Sequence, residues 1–300
     1  MNIFIVEKNE INKSAVELLK REGHVIFFDI TDQKLAGEIE ALFIRTYTNI
    51  TTDYLDSFPQ LRYIIRAGVG LDNIDLEECK KRNIQVFNAP GSNANAVAEF
   101  VISMMINLKH NTFLQQSRIL EKEWRDPKEK GSEMKGGVIG LVGCGAIGRL
   151  IAHKLQTFEI GEVIGFDPYL DEENLKKNHI RKVDLSELYQ RSDIISLHVP
   201  LTDETRNMIS EKEFKQMKKT AYLINTSRGG IINEIDLVGA VEKGMIAGAA
   251  LDVFEDEPRV REELLHNPRI VKTPHIAGYT NEADESMATE AAKNFLKMVQ

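Results

Sequence analysis

The segment that most restricts how this chain can fold is glycine-rich, Gly140-Leu-Val-Gly143-Cys-Gly145-Ala-Ile-Gly148. It lies between an apolar run typical of a buried strand and an amphipathic stretch typical of a helix. Glycines in this pattern permit a tight turn, a close backbone approach to a pyrophosphate, and close packing of helix on strand, while the first helical amides face the anion. Glycines also serve ordinary strand–helix turns, which is the alternative interpretation.

Asp167 separates these interpretations, because it ends the next apolar run about 20 residues beyond the glycines. A carboxylate there can accept hydrogen bonds from ribose hydroxyls, so the order of strand, glycines, helix, strand and acid predicts a dinucleotide site. A 2′-phosphate would meet a like charge at this position, which favours NAD over NADP.

About half of the 300 residues precede the glycine motif, and this length favours two domains. The apolar content of 42% and charged content of 28% suit a globular chain, and the net charge of −8 argues against a nucleic-acid partner. Cys79 and Cys144 form neither a disulfide framework nor a metal-ligand spacing, so we expect no metal. No basic leader or long apolar stretch precedes the first strand, so we expect a cytoplasmic protein without a membrane partner.

Short apolar runs alternate with helical stretches in both halves, which predicts parallel pairing and doubly wound sheets in an α/β fold. The predicted strands of the first half are 2–6, 24–28, 41–44, 63–65 and 85–87. Those of the second half are 138–142, 163–166, 194–197, 221–224, 247–251 and 270–272. Helical spacing of apolar residues predicts one long helix from Asn93 to about Leu120, whose polar second half could form an arm against another subunit. A last helix, roughly Asn281 to Val299, could return to the N-terminal domain.

Ligands of open parallel sheets bind beyond the carboxyl ends of the strands, so the residues that follow the predicted strands are candidates for chemistry. They are Arg45, Arg66, Asp167, Pro200, Arg228, Asp252 and His275. Arg228 can grip a carboxylate with two parallel hydrogen bonds, and His275 can exchange a proton near neutral pH. The acidic run Asp252–Glu257 could supply a carboxylate partner to His275, although a solvated loop is the alternative and the residues alone do not select the acid.

Five motifs in order resemble the D-isomer-specific 2-hydroxyacid dehydrogenases over essentially the whole chain. They are Gly143-x-Gly145-x-x-Gly148, His198-x-Pro-Leu-Thr202, Asn225-Thr-Ser-Arg-Gly-Gly230, Asp252-Val-Phe-Glu-Asp-Glu-Pro258 and Thr273-Pro-His275. The resemblance implies a catalytic triad of Arg228, Glu257 and His275, and usually a homodimer. It implies a Rossmann NAD-binding domain (95–275) inserted into a flavodoxin-like substrate domain (1–94 and 276–300). The implied NAD-binding residues are Gly143, Gly145, Ala146, Ile147, Gly148, Asp167, Val199, Pro200, Thr226, Ser227, Arg228, Asp252, His275 and Gly278.

Within that family the N-terminal half is similar to the D-3-phosphoglycerate dehydrogenases, in the stretches 43–48, 64–73 and 88–95. The implied substrate residues are Arg45, Arg66, Ala67, Gly68, Asn95, Arg228 and His275. Two arginines at strand ends suit a phosphate, and solvated surface charge is the alternative. The loop 124–131 is less basic than in many relatives, in which the neighbouring subunit often lends an arginine to the substrate phosphate. Asp126 argues against that contact here, and Arg125 or Lys128 could substitute. The chain stops at Gln300 without a C-terminal regulatory domain, so we expect no serine feedback through such a domain.

These features together predict oxidation of the small anionic acid D-3-phosphoglycerate to 3-phosphohydroxypyruvate by hydride transfer to NAD, the first step of phosphorylated serine biosynthesis. A glyoxylate or hydroxypyruvate reductase would use the same triad without a phosphate site. An NAD-sensing binding protein of the same fold is a third alternative.

Overall fold

The computed structural model describes residues 1–299 and divides into two compact units. Unit 1 comprises Met1–Asn93 and Gly278–Gln300, and unit 2 comprises Ala94–Ala277. Unit 2 therefore interrupts unit 1 along the chain. The predicted domain boundaries lie at 94/95 and 275/276, and the boundaries of the units lie at 93/94 and 277/278.

Unit 1 is built on a five-stranded parallel sheet with the order β2-β1-β3-β4-β5. Its strands are β1 (Asn2–Ile5), β2 (Val25–Phe27), β3 (Ala41–Ile44), β4 (Tyr63–Arg66) and β5 (Gln85–Phe87). Its helices are α1 (Lys13–Arg21), α2 (Gln33–Ala36), α3 (Thr52–Asp56), α4 (Leu76–Lys81) and, from the end of the chain, α13 (Asn281–Val299).

Both faces of this sheet are buried, as side-chain alternation along β3 shows. Phe43 belongs to an apolar cluster that includes residues of α1 and α13, whereas Leu42 and Ile44 belong to a second cluster with residues of α3 and α4. A strand buried on both faces has an unbroken apolar sequence, which explains the run Ala41–Ile44. Phe295 of α13 packs edge-on against Phe87 and Tyr63, so the last helix completes unit 1.

Unit 2 contains a seven-stranded parallel sheet with the order β12-β11-β10-β9-β6-β7-β8. Its strands are β6 (Val138–Val142), β7 (Glu162–Phe166), β8 (Arg181–Lys182), β9 (Ile194–Leu197), β10 (Tyr222–Asn225), β11 (Gly248–Leu251) and β12 (Ile270–Lys272). Its helices are α5 (Ala94–Lys109), α6 (Thr112–Leu120), α7 (Ala146–Lys154), α8 (Glu172–Lys177), α9 (Leu185–Arg191), α10 (Glu211–Phe214), α11 (Glu234–Glu242) and α12 (Glu262–His266), with 3₁₀ turns at Pro127–Glu129 and Leu155–Phe158.

The order of strands reverses between β6 and β9, which are neighbours in the sheet although two strands separate them in sequence. This reversal is the switch point at which doubly wound folds bind nucleotides. The predicted fold class, two parallel α/β sheets with helices between the strands, is confirmed.

Two details differ from the sequence prediction. β8 is an additional edge strand of two residues, Arg181 and Lys182, and the long helix is divided at Asn111. Asn111 has φ +53°, a left-handed conformation that ends α5, and its side-chain amide donates a hydrogen bond to the carbonyl of Glu129. Within residues 1–299 no helix combines the length and apolar character needed to cross a membrane.

Candidate active site

The glycine motif forms the turn between β6 and α7, at the switch point of the unit 2 sheet. Gly143 has φ +89°, and a Cβ there would lie 2.5 Å from the carbonyl oxygen of His198. A Cβ on Gly148 would lie 2.6 Å from the carbonyl oxygen of Gly143. These two glycines are therefore required by the turn and by the packing of α7 against it.

Gly145 has a different environment, because it caps α7 and a Cβ built on it would meet no atom within 4 Å. The space beside the first helical amides is open, which is what a bound pyrophosphate needs. Ala146 and Ile147 follow in the first turn of α7. The glycine turn therefore fits a dinucleotide.

Asp167 lies directly beyond β7 and is almost fully buried. Its carboxylate accepts hydrogen bonds from the backbone amide of Cys144, at 3.0 Å, and from that of Tyr169, at 2.9 Å. The acid thus fixes the glycine turn in addition to any contact with a ribose. Cys144 is buried beside it, and burial raises the pKa of its thiol to about 12, so this side chain is a packing element of the turn.

Two further loops at this edge of the sheet, after β9 and β10, carry residues that were predicted to contact the nucleotide. Val199 is half-buried and Pro200 is exposed, both directly beyond β9. Beyond β10, the hydroxyl of Ser227 donates to the carbonyl of Leu197, and Thr226 has a buried hydroxyl without a hydrogen-bond partner among the described residues. A polar atom in that state is available to a ligand.

His275 and Glu257 lie together in unit 2, on the loops that follow β12 and β11. The Nδ1 atom of His275 is 2.8 Å from Oε2 of Glu257, and the backbone amide of Phe254 donates to Oε1 of Glu257 at 2.9 Å. The hydrogen bond to Glu257 raises the pKa of His275 above its ordinary value, although burial opposes this. The acidic run therefore presents Glu257, the residue before the proline, to His275.

The pKa of Glu257 is shifted in the opposite direction. Burial of the carboxyl opposes its ionisation, but the hydrogen bonds from His275 and from the Phe254 amide outweigh burial and lower its pKa. The positive charge of Arg228 acts on both groups, lowering the pKa of Glu257 and of His275. Glu257 is thus held ionised beside an imidazole that gains proton affinity from it.

Arg228 is placed by the turn after β10. Its Nη1 donates to the carbonyl of Ser227 at 2.7 Å, and its own carbonyl accepts from the side-chain amide of Asn225 at 2.8 Å. Gly229 has no room for a side chain, because a Cβ there would collide with the Phe254 carbonyl. The loop with Arg228 and the loop with Glu257 are therefore in direct contact through their backbones.

Buried acids hold these loops in place. Asp252 accepts hydrogen bonds from the Thr273 hydroxyl and from the amides of Ile276 and Ala277, at 2.6, 2.9 and 2.7 Å. Burial raises the pKa of Asp252, and these three bonds oppose the rise. The carboxylate of Asp252 therefore anchors the loop that carries His275, a role that its prediction as an NAD contact did not include.

Glu234 was missed by the sequence prediction. It is a buried residue in the first turn of α11, and its carboxylate accepts from the amide of Glu255 at 2.7 Å and lies 3.2 Å from Nε of Arg261. This bond fixes the peptide next to Phe254, whose amide holds Glu257. The sequence gives no signal for it, because an acid in the first turn of a helix is ordinary helix capping.

The remaining predicted residues lie apart from these loops in the chain. Asn95 is exposed in the first turn of α5 and donates to Glu99. In unit 1, a Cβ on Gly278 would lie 2.8 Å from the side-chain nitrogen of Asn93, which would have to move. Ala67 and Gly68 follow β4, and a Cβ on Gly68 would collide with the guanidinium of Arg66.

The family model for "D-isomer specific 2-hydroxyacid dehydrogenase, NAD binding domain" matches residues 102–277. The D-3-phosphoglycerate dehydrogenase of Bacillus subtilis is 38% identical over 87% of this chain and 50% of its own length, so the chain spans about half of that relative. The hydroxypyruvate reductase of Thermotoga maritima is 37% identical over 96% of this chain and 95% of its own.

Among solved structures, a D-lactate dehydrogenase from Aquifex aeolicus complexed with NAD and lactic acid has a TM-score of 0.83 and 29% identity. The likeness covers 100% of this chain and 95% of that one. Unit 2 carries the matched NAD-binding region, with the glycine turn and Asp167 at its switch point. The chain therefore belongs to the D-isomer specific 2-hydroxyacid dehydrogenase family, and its cofactor is NAD.

Proposed function

We propose that the protein is a dehydrogenase that interconverts a D-2-hydroxy acid and its 2-keto acid. The observation that carries this proposal is the 2.8 Å contact between His275 and Glu257 at the carboxyl edge of the unit 2 sheet. Glu257 occupies Nδ1 of the imidazole, which leaves Nε2 to take the hydroxyl proton during oxidation or to return it during reduction. Bound NAD supplies the hydride chemistry at the neighbouring carbon.

The residues of the three loops divide the work. Glu257 stabilises the imidazolium that forms when His275 takes the proton, because its carboxylate is ionised and 2.8 Å away. Arg228 holds the substrate carboxylate, since a guanidinium binds a carboxylate through two parallel hydrogen bonds. Asp252 and Glu234 do not touch the substrate in this scheme but keep the loops of His275 and Glu257 in position.

We propose D-3-phosphoglycerate as the acid, oxidised to 3-phosphohydroxypyruvate as the first step of serine biosynthesis. Support comes from the relative in Bacillus subtilis and from two arginines, Arg45 directly after β3 and Arg66 at the end of the adjacent strand β4. Two guanidiniums at the same sheet edge suit a phosphate. Reduction of hydroxypyruvate is the second candidate, because Arg45 is ion-paired with Asp284 and its charge is therefore partly neutralised.

We also propose that the protein is a homodimer that uses α6 and the residues after it. None of the side chains of α6 is buried, and Ile119, Leu120 and Trp124 are 54%, 78% and 75% exposed. Large apolar side chains clustered on one exposed arm are typical of a subunit contact. Sedimentation of wild type and of a Leu120→Asp variant tests this, and a wild-type monomer at micromolar concentration would contradict it.

The reaction is tested by a screen of NADH oxidation against phosphohydroxypyruvate, hydroxypyruvate, glyoxylate and pyruvate. We expect turnover in wild type and none in His275→Asn, whose binding of NADH, followed by fluorescence, stays intact. Asparagine tolerates the left-handed backbone of residue 275, where φ is +53°. The matched control is His266→Asn, which removes an exposed histidine that also contacts a carboxylate, that of Glu262 at 3.1 Å.

Wild-type protein that binds NADH and turns over no 2-keto acid would refute the enzymatic proposal and favour an NAD-sensing protein. Turnover that survives in His275→Asn would refute the role of the histidine.

A further inference from the structure

Arg45 has a carboxylate partner that comes from the last helix of the chain. The residue follows β3 and is only 7% exposed. Its Nη1 donates to the carbonyl of Glu10 at 2.9 Å and forms an ion pair with Asp284, in the first turn of α13. The side-chain amide of Asn12 donates to the same carboxylate at 3.3 Å. A cation predicted to bind substrate is thus held against an acid of its own unit.

The second arginine of this edge, Arg66, is the last residue of β4, and two of its contacts are with neutral groups. Its Nη1 is 3.3 Å from the carbonyl of Ala67, and its Nη2 is 3.4 Å from the hydroxyl of Thr46. Ile44 pairs with Arg66 in the register of β3 and β4, so Arg45 and Arg66 occupy successive positions at the carboxyl edge of the sheet.

A second carboxylate, that of Glu7, lies at the same edge. It accepts hydrogen bonds from the backbone amides of Arg45 and Thr48, the latter at 2.6 Å. The formal charges of the two guanidiniums and the two carboxylates cancel among these four side chains. A phosphate group at neutral pH carries a charge of about −1.5 to −2. The two carboxylates therefore make this edge less favourable for a dianion than two arginines alone would make it.

We propose that Asp284 is a specificity-determining residue, which weakens the binding of phosphorylated acids relative to their unphosphorylated counterparts. Glu7 bonds to backbone amides, whereas Asp284 bonds to the guanidinium itself and competes with a phosphate for its donors. A phosphate drawn to Arg45 must share those donors and lies close to a like charge. An unphosphorylated three-carbon acid carries no charge at that end and avoids both costs. This inference rests on the proposed dehydrogenase function.

The test compares two substrates that differ only in the phosphate, 3-phosphohydroxypyruvate and hydroxypyruvate. The Asp284→Asn variant loses the charge and keeps one of the two side-chain oxygens, which can still accept a hydrogen bond from Arg45 or from Asn12. We expect the ratio of kcat/KM for the phosphorylated substrate to that for the unphosphorylated one to rise about tenfold over wild type. Added salt should reduce this gain, because it screens charges at a partly exposed site.

The matched control is Glu285→Gln, which removes the neighbouring negative charge of α13. Glu285 is exposed and accepts a hydrogen bond from the Ser14 hydroxyl at 2.9 Å. We expect this variant to keep the wild-type ratio. Asp284→Gln provides a second neutral replacement if Asp284→Asn is unstable.

An unchanged ratio in active Asp284→Asn would overturn the proposal. Equal loss of activity on both substrates would also overturn it, because this is the result expected if Asp284 only ties α13 to β3. If wild type turns over neither substrate, the proposed function fails and the role of Asp284 is decided by calorimetry with 3-phosphohydroxypyruvate. Tighter binding to Asp284→Asn than to wild type supports the inference, and equal binding refutes it.

Discussion

The hydrogen bond between His275 and Glu257 should set the pH range of catalysis, and Glu257→Gln tests this. The bond raises the pKa of His275. In the direction of reduction the histidine must carry the proton that it gives to the keto oxygen, so the rate falls as pH rises through this pKa. Removal of the negative charge lowers the pKa, so we expect the fall in kcat/KM at a lower pH. In the direction of oxidation the neutral imidazole is required, so the rate rises with pH. The midpoint of this rise should also shift to a lower pH in Glu257→Gln.

The size of the shift follows from the geometry. Unit charges about 4 Å apart interact by about 1 kcal/mol in water and about 4 kcal/mol at an effective dielectric constant of about 20. The side chains of His275 and Glu257 are 48% and 35% exposed, so solvent screening places the pair near the lower end, at about 1–2 kcal/mol. At 1.36 kcal/mol per pH unit, the midpoint should move by about one unit.

The assay is kcat/KM for a 2-keto acid at constant NADH and ionic strength, across the pH range in which the fold is intact. Histidine proton resonances followed by NMR give the same titration without turnover. Asp256→Asn, in the same exposed loop, is the control and should keep the wild-type midpoint. A midpoint that stays in place or rises in Glu257→Gln would refute the assignment of Glu257 as the partner that tunes His275.

Two further predictions concern the loops around the site. Gly143→Ala should lower the free energy of unfolding, measured in urea, by about 1–3 kcal/mol, because residue 143 has φ +89°. Gly145→Ala should keep wild-type stability but lose NADH affinity in a fluorescence titration. The reason is that its Cβ would enter the open space beside the start of α7. Burial raises the pKa of Glu234 in the folded protein above its value in the unfolded chain. The free energy of unfolding should therefore fall as pH rises from the unfolded pKa to the folded pKa. At neutral pH, the free energy of unfolding of Glu234→Gln should therefore be at least that of wild type. That of Glu234→Ala should be lower by about 1–3 kcal/mol, because this variant lacks the acceptor for the Glu255 amide.

The strands could be predicted from sequence where burial dictates their composition. Ala41–Ile44 is apolar throughout, and Ile194–Leu197 is apolar except for Ser196, because both faces of their sheets are covered. The edge strand β8 could not be predicted, since its two residues, Arg181 and Lys182, are charged and have no apolar pattern. Asn111 similarly ends α5 by a backbone conformation that side-chain periodicity does not report.

The loops of the site could be predicted because parallel strands all end at the same edge, which brings the segments after β10, β11 and β12 together. The 2.8 Å contact of His275 with Glu257 lies within that expectation, although the choice among the acids of the run came from family resemblance. The ion pair of Arg45 with Asp284 could not be predicted, because these residues are at opposite ends of the chain. The sequence only suggested that α13 returns to the N-terminal domain.

Carboxylates at these sheet edges hold the adjoining loops in place through hydrogen bonds to backbone amides. Asp167 bonds to the amides of Cys144 and Tyr169, and Asp252 bonds to those of Ile276 and Ala277. A polar residue after a strand therefore has two uses, as a ligand for substrate or as an acceptor for the amides of the next loop, and sequence position does not distinguish them. The same reasoning applies to cations. A carboxylate that pairs with an arginine at a strand end reduces the positive charge that this arginine offers to a substrate. Substrate charge in this family should accordingly follow the sum of paired side chains at the edge of unit 1, and not the number of arginines in the motif.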